Sequence, residues 1–149
     1  MEVWQRVFDT NVTSLFRTLQ VVVPQMKKQG KGRIIVTSSI SASMAESLVS
    51  SIYATSKSTV GHMVRQYAFE LAKYGILVNA ISPGPVITNI GGGRLKMTES
   101  RRPFEKATPL GRIAEPSDLY GAALFLASPA SSMITGTQIV VDGGRILGM

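Results

Sequence analysis

Apolar residues recur at Trp4, Val7, Phe8, Val12, Leu15, Phe16, Leu19, Val22, Val23 and Met26. This three-and-four spacing predicts a helix over residues 2–28 with one buried stripe. Pro24 predicts a kink in its last turn, and Gly30 and Gly32 predict its end. Arg33 to Ser38 follows as a short continuous apolar run without alternation, the pattern of a strand covered on both faces. A polar, small-residue loop runs from Ser39 to Ser51. A second helical pattern then extends from Tyr53 to Tyr74, with Val60, Val64, Tyr67 or Ala68, and Leu71 on one side and Gly75 as its stop. Residues 76–81 read as a second buried strand, ended by Ser82, Pro83, Gly84 and Pro85. The stretch containing Gly91, Gly92 and Gly93 reads as irregular as far as about Pro109. Glu115, Pro116, Ser117 and Asp118 mark an acidic, proline-bearing helix start. That helix runs through Leu126 to Pro129, and residues 137–141 form a third strand closed by Asp142, Gly143 and Gly144. With no internal repeat and no linker, residues 1–149 read as a single domain. Helices alternating with buried strands predict an α/β layered fold with parallel strands and right-handed crossovers. The pattern opens on a helix with no strand before it, as if the fold were entered midway.

Composition narrows the function classes. The 149 residues suffice for one real core, and 44% hydrophobic with 17% charged residues excludes wholesale disorder. No apolar run reaches the roughly 18 residues of a membrane span; the candidate at Val21–Val23 is cut by Pro24, Lys27 and Lys28. No membrane association is therefore expected. The acidic, aromatic start does not read as a secretory signal. The absence of cysteine excludes disulfides and cysteine-ligated zinc and fits a reducing compartment, so a cytoplasmic location is expected. No metal site is predicted. The net charge of +7 draws on clusters at Lys27, Lys28, Lys31 and Arg33, and at Arg94, Lys96, Arg101 and Arg102. No helix-turn-helix, zinc or aromatic RNA-binding signature accompanies them, so the first cluster reads as a solvated face and no nucleic-acid partner is expected.

The most informative residues are Tyr53 and Lys57, four apart at the start of a predicted helix and therefore on one face, one turn from each other. An ammonium beside a phenol favours the phenolate and lowers a pKa that starts near 10, giving a group able to move a proton near neutrality. The loop feeding this helix leaves the end of a buried strand at Ser38 and Ser39. In open parallel sheets, ligands bind beyond the carboxyl ends of the strands. The sole histidine, His62, reads as a helix-surface or packing residue, Asn79 as structural, and Asp142 as a support for the C-terminal turn.

A strand ending in serines (IIVTSS), then Tyr-x-x-x-Lys (YATSK), then a strand ending in Asn-x-x-x-Pro-Gly (VNAISPG) occur in this order. Asp9-Thr10-Asn11-Val12 precedes them, and a Gly-x-x-x-x-x-Asp-Gly-Gly ending spans Gly136 to Gly144. Over nearly its whole length the chain resembles the short-chain dehydrogenase/reductase family. The resemblance implies a partial Rossmann-like, doubly wound parallel sheet of about three strands with flanking helices. It also implies an oxidoreductase interconverting a carbonyl and a secondary alcohol with NAD or NADP. Tyr53 would be the acid/base. Lys57 would assist it and hydrogen-bond the nicotinamide ribose. Ser39 would donate to the substrate oxygen, with Ser38 the second choice. Asn11 would hold a water in a proton relay reaching Lys57. Pro83, Gly84 and Val86 would edge the nicotinamide, and Thr88 would bond its carboxamide or the pyrophosphate. Gly91 to Gly93 would belong to a mobile substrate lid, and the chain would form a homo-oligomer, a dimer or tetramer.

Two family segments do not occur in these 149 residues: the glycine-rich turn that receives the pyrophosphate at a helix N-terminus, and an Asn-Asn-Ala-Gly stretch. The sequence thus reads as the C-terminal, catalytic portion of the family's fold, expected not to bind the dinucleotide alone. The three retained strands would be neighbours, with one bare edge. The alternative expectation is a truncated, catalytically silent, self-associating α/β module.

Overall fold

The computed structural model describes residues 1–45 and 49–147. Three parallel strands, β1 (Gly32–Thr37), β2 (Ile76–Pro83) and β3 (Gln138–Val141), form one sheet in the order β1-β2-β3. β1 and β2 pair in register from Gly32–Ile76 to Thr37–Ile81, and β2 and β3 from Ala80–Gln138 to Pro83–Val141. The expected three-stranded parallel sheet is present.

The first helical pattern forms a rod in three parts: α1 (Glu2–Phe8), a π turn (Asp9–Thr13) and α2 (Ser14–Gln29). In the π turn the Ser14 N–H donates to the Asp9 carbonyl, and the Thr10 carbonyl accepts the Ser14 hydroxyl. α2 continues past Pro24 to Gln29. The carbonyl four residues back that proline leaves without a donor belongs to Gln20, an exposed residue. Gly30 ends the helix at φ 64°, a left-handed cap that glycine adopts without strain.

α3 (Ser51–Leu71) supplies the core stripe. Its buried side chains Val60, Val64, Ala68 and Leu71 pack on Val36, Ile76, Val78 and Ala80 of the sheet. Ala68, rather than Tyr67, occupies the buried position, and Val12, Leu15, Val23 and Met26 of the rod pack around the same cluster. The opposite sheet face meets α5 (Tyr120–Ala127), a helix of two turns that buries only Leu126. Because α5 is so short, the expectation of strands covered on both faces holds only for β2; Ile35 of β1 and Val140 of β3 stay 37% and 41% exposed. Arg33, expected on a solvated face, instead reaches the end of α5, donating to the Ser131 hydroxyl at 2.9 Å and toward the Leu126 carbonyl at 3.4 Å. Lys27, from the same cluster, sits 4.4 Å over the Tyr74 ring.

The stretch expected to be irregular contains α4 (Thr98–Lys106), whose Phe104 is buried. One buried position in nine residues leaves no stripe for the sequence to reveal. The start at Glu115 forms a capping box with Asp118, which leads through a 3₁₀ turn into α5. The Arg112 guanidinium, bonded to Asp118 at 2.7 and 2.9 Å, holds that carboxyl down to about 2, and the Glu115 N–H adds to the effect. Asn79 is structural, donating to the Ile134 carbonyl and accepting the Thr137 N–H. No described helix is long and apolar enough to cross a membrane.

Candidate active site

The ends of β1 and β2, the start of α3 and the segment before α4 surround one cavity of about 420 Å³. β1 hands over to the site at Ser38, whose N–H still donates to Ile81. Ser39 is extended at φ −163°, and its hydroxyl accepts the Ser41 N–H at 3.2 Å, starting a 3₁₀ turn at Ile40–Ala42. The Ser58 hydroxyl of α3 bonds the Ala42 carbonyl and ties this turn to the helix. Of the loop expected from Ser39 to Ser51, residues 46–48 lie outside the described residues.

Tyr53 and Lys57 occupy the first turns of α3 on one side, as their spacing requires. The Lys57 Nζ lies 5.7 Å from the centre of the Tyr53 ring and donates to the Thr37 carbonyl at 3.0 Å. Burial pulls the Lys57 ammonium below the ordinary lysine range, because the charged form loses water. Pro83, Gly84, Val86 and Thr88 line the same cavity. Gly84 is sterically demanded: a Cβ there would sit 2.9 Å from the Cβ of Asp142. The Asp142 carboxylate in turn accepts the N–H groups of Gly144 and Ile146 and holds the C-terminal turn, as the sequence suggests. Val86 bridges to Ala114, and the Thr88 hydroxyl accepts the Ile90 N–H.

Seven of the eight expected site residues thus line a single cavity; Asn11 does not. It sits in the π turn, and its side chain donates at 2.9 Å to the hydroxyl of Ser56, which donates at 2.7 Å to the Tyr53 carbonyl. Asn11 therefore reaches the first turn of α3 from behind. π turns inside helices often mark functional positions. Sequence reasoning missed Ser56, fully buried between the two candidate catalytic residues, although a small polar residue inside Tyr-x-x-x-Lys was visible. It also missed the Thr37 carbonyl as the seat of Lys57. The Ser38 hydroxyl is buried beside the cavity and makes no hydrogen bond among the described residues. His62 lies on the exposed side of α3, near Arg65.

A tyrosine–lysine pair and a serine loop sit together at the carboxyl edge of a parallel α/β sheet, and the comparisons give the family. The family model described as enoyl-(acyl carrier protein) reductase matches residues 1–145. The chain belongs to the short-chain dehydrogenase/reductase family of oxidoreductases. It is 37% identical over 146 residues to the 7alpha-hydroxysteroid dehydrogenase of Escherichia coli, covering 96% of this chain and 55% of that protein. It is 34% identical over 150 residues to an L-rhamnose 1-dehydrogenase (NADP(+)) of Thermoplasma acidophilum, covering 100% of this chain and 59% of that one. Among solved structures, a gluconate 5-dehydrogenase from Burkholderia cenocepacia in complex with NADP and tartrate superposes with a TM-score of 0.93 at 30% identity. That match covers 99% of this chain and 58% of the other. The chain spans little more than half the length of these relatives.

Proposed function

We propose that this chain carries the catalytic residues of an NAD- or NADP-dependent dehydrogenase that interconverts a small-molecule carbonyl and a secondary alcohol. The observation that carries the reading is the meeting of Tyr53, Lys57 and Ser39 on one cavity beyond the carboxyl ends of parallel strands. The relatives' names support the cofactor class, since they include NADP(+)-dependent and NADP-bound dehydrogenases.

The residues present fit the nicotinamide end of such a cofactor. The Pro83–Gly84–Pro85–Val86 wall is apolar, whereas Thr88 and the orphaned Ser38 hydroxyl offer polar partners. Lys57 uses one donor on Thr37 and retains two for a ribose hydroxyl. Residues 1–149 contain no glycine-rich strand-to-helix turn for a pyrophosphate, so these residues by themselves bind the dinucleotide weakly. When bound, the nicotinamide supplies or accepts the hydride.

In the reducing direction Tyr53 donates its phenolic proton to the substrate's carbonyl oxygen, and in oxidation it takes the proton back. The positive charge of Lys57 favours the phenolate left behind. Ser39 donates to the same substrate oxygen; its hydroxyl hydrogen, now directed at the Ser41 hydroxyl, rotates away while the Ser41 N–H stays bonded. Asn11, fixed on Ser56, holds with its π turn a water that relays protons to Lys57. The test is carbonyl-dependent oxidation of NADH or NADPH by the whole protein carrying this segment. No turnover across ketones, keto acids and sugars would refute the reading.

We also propose a homo-oligomer. Trp4, Phe16 and Phe69, on α1, α2 and α3, are 42%, 45% and 84% exposed, and these helices offer the aromatic side chains through which a second copy would pack. Light scattering coupled to size exclusion should show a dimer or tetramer at tens of micromolar (roughly the range in which such interfaces persist). A clean monomer would refute it.

A further inference from the structure

We propose that Arg94 is a specificity residue for an anionic group on the substrate, and that the substrate is an amphipathic hydroxy or oxo acid. The inference rests on the dehydrogenase reading of the same cavity. Among the described residues, the charged side chains lining that cavity are Lys57 and Arg94, and no described carboxylate lines it. Lys57 is already seated on Thr37 beside Tyr53. In this part of the chain Arg101 pairs with Glu105 at 3.1 Å and Arg112 with Asp118 at 2.7 Å, whereas Lys96, Arg102 and Lys106 have no acidic partner among the described residues and do not line the cavity. Arg94 pairs with no acidic side chain among the described residues.

The backbone before it is built to place it. Gly91, Gly92 and Gly93 have φ of 63°, 75° and 73°, a run of left-handed residues that side chains would strain. This tight path brings Ile90, Arg94 and Leu95 to the cavity, where Val49, Phe104 and Leu119 add apolar wall. A substrate whose reacting carbon lies at Tyr53 therefore shares the cavity with these apolar side chains and with one guanidinium that has no acidic partner among the described residues. A planar guanidinium matches a carboxylate with two parallel hydrogen bonds, which a neutral ester cannot reproduce. Ile90, Leu95, Val49, Phe104 and Leu119 favour an apolar body on the side of the cavity that carries Arg94, and the serines and Thr88 line the rest.

The probes are a hydroxyoctanoate and its methyl ester, which differ in charge at the acid end only. They are titrated by calorimetry into the whole protein saturated with oxidised dinucleotide, in parallel with steady-state kinetics. The acid should bind about tenfold more tightly than the ester, a preference typical of a charge-assisted pair in a partly exposed site. Arg94→Gln should remove that preference and raise KM for the acid with little change in kcat, and Arg94→Lys should restore part of it. Dinucleotide affinity should be the same in all three proteins. Equal binding of acid and ester by the unaltered protein would overturn the proposal. So would a loss of dinucleotide affinity in Arg94→Gln with the acid preference intact, because Arg94 would then serve the cofactor's phosphates. Tyr53→Phe separates the two levels: the charge preference in binding survives that substitution even if the proton-transfer role assigned to Tyr53 is wrong.

Discussion

Tyr53→Phe is expected to lower kcat of the whole protein by about a hundredfold to ten-thousandfold, the range spanned by loss of a positioned proton donor. The change removes one hydroxyl and nothing else. The ring keeps its place beside the Lys57 ammonium, and the backbone carbonyl of residue 53 still accepts the Ser56 hydroxyl, so the first turn of α3 stays fixed. Dinucleotide affinity should therefore remain close to that of the unaltered protein. Fluorescence titration of the reduced dinucleotide, read beside turnover, separates the effects. Near-normal turnover would remove Tyr53 from the chemistry.

Lys57→Met should damage activity on the same scale, weaken dinucleotide binding as well, and yet stabilise the fold. Methionine keeps an unbranched stem and discards the ammonium. Burial lowers the pKa of Lys57, so the folded state holds that charge less favourably than the unfolded chain does. The cost is fully present below the lowered pKa of the folded state, where Lys57 is charged in both states. It is lost as the pH climbs from that value to the ordinary lysine range, where the folded protein has released the proton. At neutral pH the variant should gain no more than about 1 kcal/mol, because the group is partly solvated and the Thr37 carbonyl loses its donor. Urea unfolding at neutral and alkaline pH checks the sign. A gain that grows with pH, or a variant less stable than the parent at neutrality, would contradict the assignment.

What could be read from the sequence depended on whether a residue's partner lay nearby in the chain. The α3 stripe was legible because Val60, Val64 and Leu71 share one face of one helix, and its end was legible because Gly75 adopts φ 68°. Tyr53 and Lys57 declared themselves through a separation of four. α4 did not, since a single buried Phe104 among charged residues makes no periodic pattern. The π turn was hidden for a related reason: one extra residue in a helical circuit shifts the stripe by less than sequence spacing resolves. Asn11 does not reach the cavity, and its contact is with Ser56, 45 residues away, a pairing that no local rule predicts. Arg33 looked like part of a solvated cluster until the sheet put it against the end of α5, 93 residues later. The role of Ser39 as the cap of its own turn depends on a backbone bend that the Ser-Ser pair alone does not dictate.

The close approach of Gly84 to Asp142 gives the C-terminal end of the chain a mechanical hold on the cavity. Asp142 is pressed against the Pro83–Gly84 edge by its own Cβ and backbone, and its carboxylate is pulled the other way by two N–H groups of the closing turn. The Gly84 N–H also hangs from the Val141 carbonyl. One wall of the cavity is thus clamped to the closing turn, and slack in that turn becomes slack in the wall. A substitution that breaks the turn at Gly144 or Ile146 is expected to loosen that wall and widen the cavity's tolerance for its ligands without altering a residue that lines it.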